Sequence, residues 1–401
     1  MNAIRCLLIL VVVAGLSGIS RADIYRWDNG EVIPGTEGIT MGPGVQLDHR
    51  ELAFAALDGD LTNANFSGSN LANAQICCSL QDADFSGTIV RGSILYGIQS
   101  EQLYSTQSYK DRDLSGVYFA GFGLAGLDLS HQNLSNSVLR FANFTNLEMV
   151  NADLTGADLR RSLGTPDPSV NLRNAIHSDG EIRGLNLLAG DTLTLLTADL
   201  CSMECGRVGV KVSQSFVVAE GAQLEVLIQQ GKGIGFHTPI EIHDSTSVTL
   251  GGTLKIVDSK WGLGRPISGT IDLFDWPDPL DVANRFDAVV APRGLLVDTS
   301  QLYSTGEVTL FQPDTNLDGK VDIIDLNDVR NNFGLSGDSI VGGDTNFDRQ
   351  VDITDLNNVR NFFGATTPQA VPEPSTFAIG CVAMASIAIV FRSGKTSAAR
   401  L

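Results

Sequence analysis

A mainly β fold that ends in a small helical module is what the sequence predicts, and three observations predict it. Leu, Phe and Met recur at every fifth position between Asp113 and Gly164; alternating Leu, Val and Ile fill Gly-bounded phrases between about 170 and 312; and one acidic phrase is written twice, at 314–334 and 344–364. The five-residue beat matches neither the 3.6-residue period of a helix nor the two-residue period of a flat strand. With 401 residues, 43% of them hydrophobic and 18% charged, the chain is long enough for two or three folded units.

The opening stretch, MNAIRCLLILVVVAGLSGISRA, sets Arg5 before an apolar run from Cys6 to Leu16 and closes on the small residues Ser20 to Ala22. This is the layout of a secretory signal peptide over 1–22, cut after Ala22. An N-terminal anchor helix is the alternative, but the run is shorter than the ~20 residues a spanning helix needs.

The beat itself is carried by Leu114, Phe119, Leu124, Leu129, Leu134, Leu139, Phe144, Met149, Leu154 and Leu159, with small residues two positions earlier at Ala142, Ala152 and Ala157. A weaker version precedes it at Leu61, Phe66, Leu71, Ile76, Phe85, Val90 and Leu95, and its step slips between Ile76 and Phe85, as a shortened corner would make it. Phrases such as ANFSG, ADFSG, ANFTN and NADLTGADLR resemble the pentapeptide-repeat family, A-[DN]-[LF]-x-x, over residues 47–163. That resemblance implies a right-handed, four-sided β-solenoid in which each pentapeptide makes one side and the central Leu or Phe points inward. Such a stack buries its apolar column only against neighbouring coils. The insert GIQSEQLYSTQSYKDR, at 97–112, breaks the beat and is expected to loop out as a turn or short helix.

In the β-rich module at 170–312, GDTLTLLTADL, GAQLEVLIQQ and GGTLKIVDS read as half-buried strands between turns. Leu193, Leu224 and Leu254 follow one another at almost equal intervals, which suits solenoid rungs; a sandwich is the second choice. The end of this segment, IDLFDWPDPLDVANRFDAVV and then LLVDTSQLYSTGEVTL, resembles a β-module that commonly precedes C-terminal sorting signals in exported planctomycete-type proteins. Chemistry here would need His237, Glu241, His243 and Asp244 of GFHTPIEIHDS to meet, and Pro239 interrupts the strand that would align them. Trp261, Trp276 and Tyr303 could stack on sugars but read more simply as core. No catalytic set emerges, and the chain is not expected to be an enzyme.

Within DTNLDGKVDIIDLNDVRNNFG, oxygen donors fall at loop positions 1, 3, 5, 9 and 12: Asp314, Asn316, Asp318, Asp322 and Asp325. Gly319 stands at position 6 and the carbonyl of Lys320 at 7. Short oxygen side chains around a glycine turn, closed by a carboxylate from the first turn of a helix, are the spacing of an EF-hand-type calcium loop. The second phrase repeats every donor at the same spacing, at Asp344, Asn346, Asp348, Asp352 and Asp355, with Gln350 supplying the carbonyl and Arg349 standing where Gly319 stood. Leu326, Val329 and Phe333, then Leu356, Val359 and Phe363, give the following helices an apolar stripe, and Gly334 and Gly364 suit their C-caps. Two loop–helix units closed by Asp resemble the type I dockerin module over 314–364. The resemblance implies two calcium ions and a cohesin-like partner; a calcium-stiffened stalk is the other role open to it.

The tail, VPEPSTFAIGCVAMASIAIVFRSGKTSAARL, joins Val371-Pro372-Glu373-Pro374 to an apolar stretch and three cations. It resembles the PEP-CTERM sorting signal over 371–401, implying handling by an exosortase and transient membrane association through 376–391; a plain tail anchor is the simpler reading. Export also permits disulfides among Cys77, Cys78, Cys201 and Cys205, with CSMEC as the preferred bridge and a zinc site as its rival. A net charge of −19 opposes nucleic acid and anionic lipid as partners. The sum is an exported envelope or matrix scaffold; the alternative is a dockerin-borne member of a polysaccharide-degrading assembly, and envelope polysaccharide is a possible partner of either.

Overall fold

The computed structural model describes residues 23–366 apart from 28–29, 77–78, 96, 120–123, 125, 146, 197–207, 229–238, 259–268, 282–283, 293–294, 317, 337–341 and 347. The terminal segments expected to direct export, all the cysteines, His237 and Trp261 therefore lie outside the described residues. The chain divides into two compact units, one ending at Gly180 and one beginning at Glu181.

In the first unit the five-residue beat is a ladder of parallel pairings. Gln46 pairs with Asn65 and Asn65 with Asp84; further on, Asp113, Asn133 and Asp153 pair in series at a step longer by one. A parallel partner one step on means that the chain returns to the same side after each circuit. Strands β1 (Ala56–Leu57), β2 (Gln75–Ile76) and β3 (Ile94–Leu95) stack in that order along one side. Every apolar centre of the beat is buried in a single column. In the coils with the shorter step one side lacks a residue, from Leu57 to Leu61 and from Ile76 to Leu80, and Leu80 is buried with the rest. That is the physical cause of the slip in the beat.

Many of the pentads are closed by their own polar residues. In these the residue before the inward Leu or Phe is Asp or Asn, and its side-chain oxygen accepts the amide two positions on: Asn65 from Ser67 (3.0 Å), Asp84 from Ser86 (2.8 Å), Asp153 from Thr155 (3.0 Å); at Tyr118–Phe119 and Val138–Leu139 that residue is not Asp or Asn. This Asx turn is why the repeat pattern wants Asp or Asn there. Two residues after the inward side chain the backbone turns left-handed, at His49, Asn63, Asn73, Asn136 and Asn151 among others, or at Gly. At Gly92, with φ of +68°, an added Cβ would lie 2.1 Å from Oδ1 of Asn73 in the corner beneath, so a side chain there would have to displace that amide.

The insert at 97–112 is helical, as α1 (Ser100–Ser105) and α2 (Gln107–Lys110), but it does not loop out. Leu103 enters the core, Gln102 Nε2 donates to the carbonyls of Leu80 and Ala83, and the Gly87 amide donates to Ser105 O. The insert thus replaces one side of a coil, because the exposed ladder amides of the coil beneath need acceptors. Before the repeats, Ile24 and Ile33 join the same core, and Tyr25 and Arg26 pair antiparallel with Val32 and Ala55. After them, pairing continues to Asn171 and Ile176.

The second unit is built from longer parallel rungs. One sheet holds β4 (Glu181–Leu187), β6 (Lys211–Val218), β8 (Ile240–Ile242), β9 (Ser247–Leu250) and β12 (Phe274–Asp275); another runs β5 (Thr192–Leu196), β7 (Gln223–Ile228), β10 (Thr253–Asp258) and β13 (Ala288–Val290). All of these pairs are parallel, with Leu193, Leu224 and Leu254 in direct register. The even spacing of those leucines is thus one rung, and parallel pairing disfavours the antiparallel sandwich. An antiparallel sheet of β11 (Gly269–Asp272), β15 (Glu307–Phe311) and β14 (Leu296–Asp298) follows, then helices α3 (Ile323–Asn332) and α4 (Ile353–Asn361).

Candidate metal centre

The duplicated acidic phrases fold alike. In the first, Asp322 N-caps α3, its Oδ1 accepting the Ile324 amide at 2.7 Å, while Asp325 at the third helical position accepts the Asp322 amide on Oδ2 at 2.8 Å. Asp325 Oδ1 also takes the Thr315 amide at 2.7 Å, so this one carboxylate ties the start of the loop to the start of the helix. Asp314 accepts the amides of Asp318 (3.2 Å) and Gly319 (3.0 Å), Asn316 Oδ1 that of Asp318 (3.0 Å), and Asp318 Oδ1 that of Lys320 (3.0 Å). Asp314 and Asp325 are fully buried.

The second copy repeats these bonds at the equivalent positions. Asp352 caps α4 through the Thr354 amide, and Asp355 holds the amides of Asp352 (2.8 Å) and Thr345 (2.7 Å). Asn346 Oδ1 accepts from Asp348 and Asp348 Oδ1 from Gln350. Two differences stand out. Arg349 adopts φ of +73°, where Gly319 has +91°, a left-handed conformation that costs an L side chain roughly 1–2 kcal/mol. Asp344 accepts the Arg349 amide on Oδ2, but its buried Oδ1 has no hydrogen bond among the described residues. Burial raises the Asp344 pKa above the ordinary carboxylate value, opposed by the backbone amides of Arg349 and Asp348 and reinforced by the charges of Asp355 and Asp348.

The halves interlock. The Val321 amide donates to Ala365 O and the Val351 amide to Leu335 O, so the strand-like residue ending each loop pairs with the segment after a helix. Val321, Val329, Val351 and Val359 form the shared core, with Leu326, Leu356 and Phe362 against it. Phe333 and Phe363, expected on the apolar stripe, are 53% and 54% exposed. They stand after the last helical residues, where the backbone has left the helical period, and the inward aromatic is Phe362.

All the proposed donors are hard oxygens, and Asp314, Asp325 and Asp355 are carboxylates withdrawn from water, which a cation would compensate. Each oxygen now held by one amide keeps further acceptor capacity. Among the described residues no group of three or more His, Cys, Asp or Glu side chains is disposed to hold a metal ion, so carboxylates alone do not complete a shell here. The donor set fits calcium only with Asn316 or Asn346, the carbonyls of Lys320 or Gln350, and water.

The other candidates are placed differently. Glu241, in β8, pairs with Lys211 at 2.7 Å, and His243 and Asp244 are exposed at the turn beyond it. Trp276 is buried, donates Nε1–H to Leu302 O and stacks on Phe274; the Tyr303 hydroxyl, also buried, accepts the Phe286 amide. Both are core. Sequence reasoning missed a buried ion cluster on the first unit: Arg140 and Arg160, each 1% exposed, both bond Asp158. Nearby Tyr118 is pushed above the usual phenol range by burial. Arg at matching repeat positions one circuit apart, with Asp158 two before the second, was the signal for it.

Among known families, the model for pentapeptide repeats matches residues 124–161, in eight copies. The chain therefore contains pentapeptide repeats. No curated protein matches it. Among the described residues no helix is long and apolar enough to cross a membrane.

Proposed function

We propose that the chain is a non-enzymatic, exported scaffold of the cell envelope or extracellular matrix. In this reading a right-handed, four-sided β-solenoid is followed by a β-rich module and a dockerin-like unit that binds two calcium ions, and a PEP-CTERM tail is handled by an exosortase. The observation that carries it is the use of the polar repeat positions. Asp and Asn along the pentapeptide ladder are consumed by their own turns, as in Asp84 with Ser86 and Asp153 with Thr155, so the repeats spend their polar groups on building a rod.

Calcium, when bound, supplies the positive charge that two loops crowded with carboxylates lack. The residues that would hold it are Asp314, Asn316, Asp318, Asp322, Asp325 and the carbonyl of Lys320, and Asp344, Asn346, Asp348, Asp352, Asp355 and the carbonyl of Gln350. Their part is to bring helix starts and loop starts together, which Asp325 and Asp355 do through the Thr315 and Thr345 amides. The dockerin-like unit then presents a stiff surface to a cohesin-like partner or acts as a stalk.

The test is to incubate the purified 23–370 fragment with a panel of polysaccharides and to titrate it with calcium by calorimetry. Two ions bound and no sugar released is the expected outcome. Release of reducing or unsaturated ends would overturn the scaffold reading in favour of a carbohydrate-active assembly, and absence of calcium binding would remove the dockerin-like part.

A further inference from the structure

The two loops differ in what they hold. Strand β15 ends at Phe311, and the next residues touch the second copy of the duplicated unit. The Gln312 amide donates to Thr345 O at 2.7 Å, and the Phe311 and Phe362 rings pack with centroids 4.7 Å apart. Thr345 is itself gripped by Asp355, whose Oδ1 accepts both its amide (2.7 Å) and its hydroxyl (2.9 Å). The carboxylate that closes the second loop therefore also orients the carbonyl that receives the end of β15. Its equivalent, Asp325, orients Thr315, whose hydroxyl also turns to Asp328 at 2.8 Å.

The second loop is also less self-sufficient. Asp314 receives amides on both oxygens, whereas Asp344 receives one, its Oδ1 is left without a bond among the described residues, and the turn behind it forces Arg349 left-handed. An unmatched carboxylate oxygen raises the free energy of the empty loop relative to the filled one, and the left-handed turn at Arg349 costs the closed loop stability in either state.

Resting on the calcium reading above, we propose that the second loop is a cation-operated clamp. Filling it fixes Asp355 and hence Thr345, and so locks the paired helices onto the end of β15; emptying it releases Gln312 and Phe311 first, while the first loop stays closed. A calcium-rich exterior would thereby stiffen the junction between the β-rich part of this unit and its helical end.

Amide hydrogen exchange on the full chain, in calcium and in chelator, tests this at Gln312. Chelation is expected to speed exchange at Gln312 by about tenfold or more, a local opening rather than global unfolding. Asp355→Asn should reproduce that loss in calcium, Asp325→Asn should leave Gln312 protected, and Arg349→Gly should hold protection at lower calcium than the parent. Unchanged Gln312 protection in a chain that calorimetry shows to bind calcium would overturn the clamp alone, as would equal loss in Asp325→Asn and Asp355→Asn. A chain that binds no calcium would overturn the reading beneath it.

Discussion

The pentapeptide ladder and the duplicated loops both fold Asp and Asn onto backbone amides, yet they place the charge differently. In the ladder the apolar column lies inside and, apart from Asp158 with its two buried arginines, acids such as Asp60 and Asp84 stay near solvent: they accept from Thr62 and Ser86, and the hydroxyls and amides of those residues lower their pKa values. In the loops the acids are drawn inward, with Asp314, Asp325 and Asp355 fully buried, and the shared apolar core is four valines. A structure held by a column of Leu and Phe is complete by itself. One held by buried carboxylates depends on what neutralises them.

The largest expected effect is on the ladder. Phe66 is fully buried and stacks on Phe85 of the next coil at 5.2 Å. Phe66→Ala should cost about 3–5 kcal/mol of that unit's stability in denaturant titration, with the calcium response intact. Next come the loops: Asp325→Ala strands the amides of Thr315 and Asp322, a loss of roughly 1–3 kcal/mol for each such group when buried, and should abolish calcium binding at the first loop while the second still binds in calorimetry. Arg349→Gly acts the opposite way, removing a left-handed L residue and a cation from the second loop; a gain of about 1 kcal/mol or more in calcium-loaded stability is expected.

The smallest effect is one of pH. Asp60, Asp84, Asp128 and Asp167 have folded pKa values below the ordinary 3.8, held down by the hydroxyls and amides of Thr62, Ser86, Ser130 and Ser169. A carboxylate with a lowered folded pKa stabilises the fold above its unfolded value and loses that contribution as pH falls through the lowered one. The ladder should therefore weaken slightly below about pH 4, and Asp84→Asn should flatten that part of the profile in thermal melts at graded pH.

The sequence made the ladder legible because its period is carried by side chains that all do one thing. Leu114 to Leu159 point inward at every fifth position, and nothing tertiary competes with that choice. It also showed the shortened side after Ile76 as a slip in the beat, but it hid the one at Leu57–Leu61, which precedes the readable part of the beat and is seen only in the shorter pairing step. The docking of the insert escaped for another reason: Gln102 and Ser105 satisfy ladder groups through long-range bonds that leave no local pattern. In the loops the order of acidic loop then helix was readable from position alone, whereas the N-capping by Asp322 and Asp352 was not picked out. That Phe362 rather than Phe363 would face inward was not, since its ring packs on Phe311, which stands far earlier in the chain.

The central contrast, a ladder complete in itself against loops proposed to need a cation, is tested most directly by hydrogen exchange across the whole chain in calcium and in chelator. Amides of the ladder, such as Leu134 and Leu139, should exchange equally slowly in both, while Val321, Val351 and Ala365 lose protection when calcium is removed. Equal protection of Val321 and Val351 in the two conditions, or loss in the ladder as large as in the loops, would contradict it.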